Sequence, residues 1–306
     1  MIFPKDADAS KGVAYADGKL VPIAEATVSV LDWGFSRSDV TYDVVHVWKG
    51  AFFRLDDHLE RFERSCAALR LDPGLNRAEI LRVLAACVRA CGLRDAYVEM
   101  LCTRGVPTPG SRDPRQSQNR FMAYAIPFVW VLDHERQEAG ARLHIADIPR
   151  IDSASVDPTV KNFHWGDLTR GLFQALDHGA DTTVLVDSSG VITEGPGFNV
   201  FVVKDATVTT PALGVLEGIT RASVRELCEE ARIPFALGKL VPQDLMRADE
   251  VFLSSTAGGI MPVSYINNRV LGAGRPGPLS RQLRHRYWER HNEGWHATPI
   301  DYEDTH

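Results

Sequence analysis

Apolar residues in this chain come in strand-length runs gathered into groups, with amphipathic helices gathered between them. That grouping excludes a sheet built by regular alternation of strand and helix. The first half opens with runs at 18–31 and 42–53, which read as strands separated by Asp and Gly turns. Two helices follow. Leu59, Phe62, Cys66 and Leu69 recur at helical spacing with Asp56 or Asp57 as the cap, and Ile80, Leu84 and Cys91 give the same period over 78–91. Runs at 96–103 and 120–132 then read as buried strands around a loop, 104–119, rich in Gly, Pro and Arg. Residues 133–140 turn polar (DHERQEAG) and are the expected linker between a domain of residues 1–132 and one of residues 141–306. The second half mixes strands at 143–148, 183–186, 200–203 and 251–253 with helices near 167–177, 220–231 and 278–293. The expected class is α/β in the broad sense, an α+β chain of two domains.

A chain of 306 residues, 44% hydrophobic and 24% charged, is long enough for two ordinary cores. Its formal charge of -6 and its lack of a basic block give no footprint for a phosphate backbone, so nucleic acid is not an expected partner. The first residues lack the apolar stretch of a signal peptide, and the longest apolar run, 121–132, is interrupted by Pro127 and too short to span a bilayer. The expectation is a soluble cytoplasmic protein. Cys66, Cys87, Cys91, Cys102 and Cys228 are odd in number and lie mostly in apolar periodic segments. They read as reduced core residues, with neither a disulfide frame nor a metal site.

Seven of the 34 basic residues are lysine, which makes each one informative. Lys5, Lys11, Lys19, Lys49, Lys204 and Lys239 stand beside Asp, Gly or Pro in turn-like contexts that suit a solvated amine. Lys161 stands instead in SVDPTVKNFHWGDLTRG, close to Phe163 and Trp165. Desolvation there would favour the neutral amine that attacks a carbonyl, and the plain alternative is a side chain that snorkels past the rings to water. Glu194 sits in a turn with Gly195, Pro196 and Gly197, either as a turn residue or as a partner for a ring nitrogen. LEGITR puts Thr220 at a helix start, an ordinary cap or a place for a phosphate. FLSSTAGG offers Ser255 and Thr256 hydroxyls on a bendable loop, and Arg61 lies one turn after His58 on a charged helix.

Taken in order, HLERF, VKNFHWGDL, TEGPGFN, EGITR and STAGG resemble the fold type IV enzymes dependent on pyridoxal 5′-phosphate. That group contains branched-chain and D-amino acid aminotransferases, aminodeoxychorismate lyase and the (R)-selective amine transaminases. The resemblance runs over nearly the whole chain. It implies Lys161 as the Schiff-base lysine and proton carrier, Glu194 against the pyridine nitrogen, and Arg61, Ile219, Thr220, Ser255 and Thr256 around the cofactor, most of them at its phosphate. It also implies a small N-terminal α/β domain, a larger C-terminal domain, the cofactor between them, and a homodimer. Within the group the chain is most similar to the (R)-selective amine transaminases, through SDVTYDVVHVWKGAFFRLDDH, PFVWV, DPTVKNFHWGDL and TAGGIMP. The resemblance then implies Tyr42, Trp165, Leu216 and Ala257 at the substrate pocket, an amine as donor, and pyruvate or another 2-oxo acid as acceptor.

Two departures bear on the substrate, and a third, Pro196, on the turn near Glu194. Arg37 stands where many of these enzymes carry a histidine, and a cation there suits a carboxylate. The loop after Arg104 reads Thr108-Pro109-Gly110-Ser111 without an arginine just before Gly-Ser, leaving Arg112 or Arg115 as replacements. Pro196 stands where Ser or Ala is more usual. The alternatives are a D- or branched-chain amino acid aminotransferase using Arg37 or Arg112, an aminodeoxychorismate lyase, and a binding protein that keeps only the fold.

Overall fold

The computed structural model describes residues 8–303, and contacts among them divide the chain into two units, one of 8–129, 160–163 and 294–303, the other of 130–159 and 164–293. In the first unit the chain runs β1 (Val13–Ala16), β2 (Lys19–Pro22), α1 (Trp33–Arg37), β3 (Val40–Trp48), β4 (Ala51–Phe53), α2 (Leu55–Leu69), α3 (Arg77–Cys91), β5 (Ala96–Thr103) and β6 (Arg120–Pro127). In the second come α4 (His134–Ala139), β7 (Ala141–Pro149), α5 (Gly166–Asp177), β8 (Thr182–Val186), β9 (Asn199–Lys204), β10 (Thr207–Pro211) and α6 (Ile219–Glu230). They continue with β11 (Phe235–Gly238), α7 (Pro242–Met246), β12 (Glu250–Ser255), β13 (Gly259–Ile266), β14 (Arg269–Val270) and α8 (Pro278–Asn292), before β15 (Ala297–Pro299) returns to the first sheet.

The first sheet has the order β15-β4-β3-β5-β6-β1-β2. Its longest strand, β3, is VTYDVVHVW, a β-branched and aromatic run suited to a pleated surface, paired antiparallel with β5 from Val40↔Thr103 to Val47↔Ala96. Side chains alternate across a strand. Val45, Val47, Val98, Met100 and Cys102 therefore join Phe62 and Leu84 in the core under α2 and α3. Tyr42, Val44, Tyr97, Glu99 and Tyr124 fall on the opposite face. The second sheet, β11-β10-β9-β12-β13-β7-β8 with β14 on β13, mixes parallel and antiparallel pairs. Leu143, Val200, Leu253 and Met261 pack in one core there. Phe201 stacks on Phe252 with ring centres 4.6 Å apart.

Several local expectations change. Helix α2 is not capped by Asp56 or Asp57. Arg54, at a φ of 52°, makes the turn, and both aspartates lie in the first turn, where the helix dipole favours them. The polar 133–140 stretch is helix α4, capped by Asp133. Only 19–22 of the expected 18–31 strand region is strand after β1, and the Asp32 side chain accepts from Gly34 N–H to start α1. Residues 294–303 group with the first unit because β15 pairs with β4, and residues 160–163 because Lys161 and Asn162 bond to Thr41, Tyr42 and Ser65, contacts that local sequence does not encode. Lys5 lies outside the described residues. Cys66, Cys87, Cys102 and Cys228 are buried free thiols, and burial pushes Cys87 up to about 12. Among the described residues no helix is long and apolar enough to cross a membrane.

Phe62 is fully buried where α2 meets the sheet. Phe62→Ala should lower the unfolding free energy by about 3–5 kcal/mol in urea titrations, by lost transfer energy plus the cavity left behind.

Candidate functional site

Lys161 is tied to the central strand through its backbone. Its carbonyl accepts from Thr41 Oγ1 at 2.7 Å and from Tyr42 N at 3.4 Å, and Asn162 makes an isolated bridge to Thr41. Its own N–H donates to Ser65 Oγ on α2 at 3.4 Å. With the backbone fixed between β3 and α2, the Nζ stands 4.2 Å from the centre of the Tyr42 ring, which in turn meets Phe163 at 4.6 Å. The ammonium or amine thus lies on an aromatic face, and of the two expected rings Phe163 belongs to this unit and Trp165 to the other.

Asp43, on β3, is fully buried. Arg61 grips it with both ends of one guanidinium edge, Nε to Oδ2 at 2.7 Å and Nη2 to Oδ1 at 2.8 Å. His58 Nδ1 stands 2.8 Å from the same Oδ1, and Val44 N–H donates to it at 2.7 Å. Burial alone would push the Asp43 carboxyl up, but the Arg61 charge and the hydrogen bonds from Arg61 and His58 hold it well below the usual carboxylate range. Burial holds His58 below its ordinary value against the pull of Asp43, so the ring is neutral and its Nδ1–H donates to the carboxylate.

Glu99 was not singled out from the sequence. It is buried on the sheet face that carries Tyr42, and it accepts hydrogen bonds from Tyr97 Oη at 3.1 Å and Tyr124 Oη at 2.9 Å. Burial raises its carboxyl pKa, opposed by the two phenols and by the charge of Lys161. Tyr97, Glu99 and Thr103 at alternate positions of AYVEMLCT would have signalled it only once the other face was known to be the core.

In the second unit Glu194 is buried and accepts from Arg150 Nη2 at 3.2 Å and from Leu216 N–H at 2.9 Å. Arg150 also donates to Asp167 at 2.6 Å. Asn199 Nδ2 donates to the Leu216 carbonyl at 2.9 Å, so Leu216 is gripped on both sides. The chain then passes Gly218 into α6, whose first residues, Ile219 and Thr220, have no side-chain cap. Thr220 is not the cap, a position Gly218 takes, and uncapped N–H groups there suit an anion. Ser255 donates to the Gly197 carbonyl at 2.8 Å and accepts from Ala257 N–H at 3.2 Å, with Thr256 half-buried between them. Trp165 closes a small cluster with Ala146, Leu168 and Leu185.

Each unit therefore carries its own polar set: Lys161, Tyr42, Arg61 and Glu99 in one, Glu194, Leu216, Ile219, Thr220, Ser255 and Thr256 in the other. Of the arginines weighed for a carboxylate, Arg37 lies over the Trp33 ring at 3.6 Å and Arg112 is exposed on its loop. Arg104 is engaged by Asp39 and by the Leu69 and Arg70 carbonyls. No group of residues among those described could hold a metal ion.

The pattern of the family described as Amino-transferase class IV matches residues 41–266. The chain is similar to a D-alanine aminotransferase of Bacillus licheniformis, 28% identical over 278 residues, 88% of this chain and 93% of that one. It is similar also to a branched-chain-amino-acid aminotransferase of Pseudomonas aeruginosa, 26% identical over 288 residues, 91% of this chain and 92% of that one. Among solved structures, the branched-chain aminotransferase of the thermophilic archaeon Thermoproteus uzoniensis with norvaline superposes with a TM-score of 0.86 at 28% identity, over 94% of this chain and 99% of that one. A branched-chain amino acid aminotransferase solved with pyridoxamine 5′-phosphate superposes with a TM-score of 0.88, also at 28% identity, over 95% of this chain and 99% of that one.

A Cβ on Gly218 would stand 2.0 Å from Asn199 Oδ1. Gly218→Ala should destabilise the protein by about 1–3 kcal/mol, and combining it with Asn199→Ala should recover part of that loss in a double-mutant cycle. Asp43 makes a second prediction. Its folded pKa lies below the ordinary 3.8, so its stabilisation is complete above that value and is lost as the pH falls through and below it. Urea unfolding between neutral and strongly acid pH should show a steeper acid limb for the native protein than for Asp43→Asn.

Proposed function

We propose an amine as the donor substrate on the premise that the chain belongs to the class IV amino-transferase family. It is a transaminase that uses pyridoxal 5′-phosphate, and the reading concerns which amine it takes: a primary (R)-amine without a carboxylate, converted to a ketone, with pyruvate or another 2-oxo acid as acceptor.

The residues present fit the cofactor's chemistry. When bound, pyridoxal phosphate supplies an aldehyde for covalent capture and a ring that withdraws electrons from the substrate carbon. Lys161 would hold the aldehyde and carry the proton, its stem fixed by the backbone bonds to Thr41 and Tyr42. Glu194 would hold a proton on the ring nitrogen, with Arg150 as the cation that balances its charge. Arg61 and the uncapped N–H groups of Ile219 and Thr220 would take the phosphate, with Ser255 and Thr256 assigned to the same task.

Glu99 carries the choice of substrate. It is a buried carboxyl in the unit of Lys161, close enough for the lysine's charge to act on it. A substrate carboxylate brought to that face meets like charge, whereas an amine does not. The commitment of Arg104 to Asp39 and to two backbone carbonyls supports the same reading. The names of the relatives favour a second reading, an amino acid donor, as in the D-alanine and branched-chain enzymes. The acceptor carboxylate would then fall to Arg37 or Arg112. A homodimer fits an exposed apolar patch on the first unit, where Val30, Leu31 and Phe35 are about two-thirds exposed beside Val28 and Val106.

Visible spectra test the reading. A yellow band that bleaches fastest with (R)-1-phenylethylamine supports the amine donor, and faster bleaching with D-alanine or L-leucine overturns it, with Lys161→Ala giving no bleaching. Glu99→Gln should raise the ratio of kcat/KM for amino acid over amine by about tenfold, one charge interaction of roughly 1.4 kcal/mol. In the native enzyme that ratio should fall as the pH rises through the raised Glu99 pKa, because the carboxyl becomes charged. Phe35→Glu should convert a dimer to monomer in light scattering.

A further inference from the structure

The most expensive group in the first unit is Asp43. It is a fully buried carboxylate in the middle of a strand whose other residues are apolar or aromatic, or carry hydroxyl or imidazole groups. The strand does not require it, since β3 is already held along its length by the ladder to β5. A buried ion pair is poor evidence of stabilisation, because desolvating both charges offsets their attraction. What the pair does supply is orientation. Arg61 is fixed by two parallel bonds from a single edge of its guanidinium, so its plane is set and its other edge faces away from Asp43.

Asp43 is itself fixed. Its Oδ1 accepts from Val44 N–H, which pins the carboxylate to the strand, and from His58 Nδ1, which stands one helical turn before Arg61 on α2. The neutral His58 adds no charge, so its contribution is a directed N–H. The set lies next to the Lys161 segment: Ser65, one turn after Arg61 on α2, accepts from Lys161 N–H, and the lysine's charge acts on His58.

We propose that His58 and Asp43 are positioning residues that hold the outer edge of Arg61 at a fixed angle for a phosphate monoester, so that recognition of the cofactor's phosphate depends on His58, which does not touch it. The inference rests on the reading above, in which Arg61 takes the phosphate and Lys161 the aldehyde. The chain has traded part of Arg61's charge, neutralised by Asp43, for a rigid donor edge. A fixed guanidinium fork loses less freedom on binding phosphate than a mobile one.

Pyridoxal, which has the aldehyde and ring but no phosphate, separates this from a general loosening of the site. Dissociation constants for pyridoxal 5′-phosphate and for pyridoxal are measured on the apoprotein by visible absorbance and tryptophan fluorescence, for the native chain, His58→Leu and His58→Asn. His58→Leu keeps the volume and loses the N–H, and His58→Asn places an amide N–H where Nδ1 stood. The expected result is a 10- to 100-fold weaker affinity for the phosphate form in His58→Leu, as the loss of an orienting partner typically gives, with little change for pyridoxal and recovery in His58→Asn. Equal weakening of both ligands, or no weakening of either, overturns the proposal. Should His58→Leu not fold by circular dichroism, Asp43→Asn takes its place with the same two ligands and the same criteria. Failure of the native chain to bind either ligand sinks the cofactor reading itself. Binding of both with equal affinity leaves that reading standing and removes Arg61 as the phosphate residue, and the proposal with it.

Discussion

A single carbonyl, that of Lys161, takes a hydrogen bond from a threonine hydroxyl 120 residues earlier in the chain. Much of what is specific to the first unit follows from it. The bond and its neighbour from Tyr42 N–H lay the 160–163 segment along the end of β3, so that the lysine belongs to the first unit although its sequence neighbours on both sides belong to the second. A flexible four-carbon stem loses freedom when its base is stitched to a strand and its terminal nitrogen lies over an aromatic ring. The amine is thereby aimed by the backbone beneath it and by the ring it lies on.

Three buried charges of the two polar sets and their surroundings stand in ion pairs, and Glu99 does not. Asp43 has Arg61, Glu194 has Arg150, and Arg104 has Asp39, each pair within hydrogen-bond distance. Such pairs add little net stability, and their value is in direction. Glu99 has two phenols instead of a cation. Its ionisation is therefore less favoured than that of Asp43, and it responds to pH in a range where Asp43 does not.

Elements whose own residues carry a strong period or a cap were legible in the sequence. The 96–103 strand and the helices at 78–91, 167–177, 220–231 and 278–293 lie within a residue or so of their structural bounds. Lys161 could be picked out because lysine is rare here and its setting is aromatic. Strands β10, β11 and β15 were not legible, being short and fixed by partners distant in sequence. The same holds for α4, which a polar composition disguised as a linker. Arg150 and Glu99 escaped for a related reason. Glu99 lies in a run that reads as a buried strand, but its face is not set by that run, and each of the two acquires its role only from groups that another element brings to it.

The order of motifs along the chain, a property of the sequence alone, was enough to indicate the family and the cofactor. Reactive groups must recur in the same order when a fold is kept, whatever the intervening residues do. Tertiary structure decided what those groups face. It put Asp43 and His58 behind Arg61, Arg150 behind Glu194 and Glu99 on the lysine's side of the sheet. Orientation, burial and the sign of a neighbouring charge arise from contacts between distant segments, and they exist only once the strands have paired and fixed which face of each one looks inward.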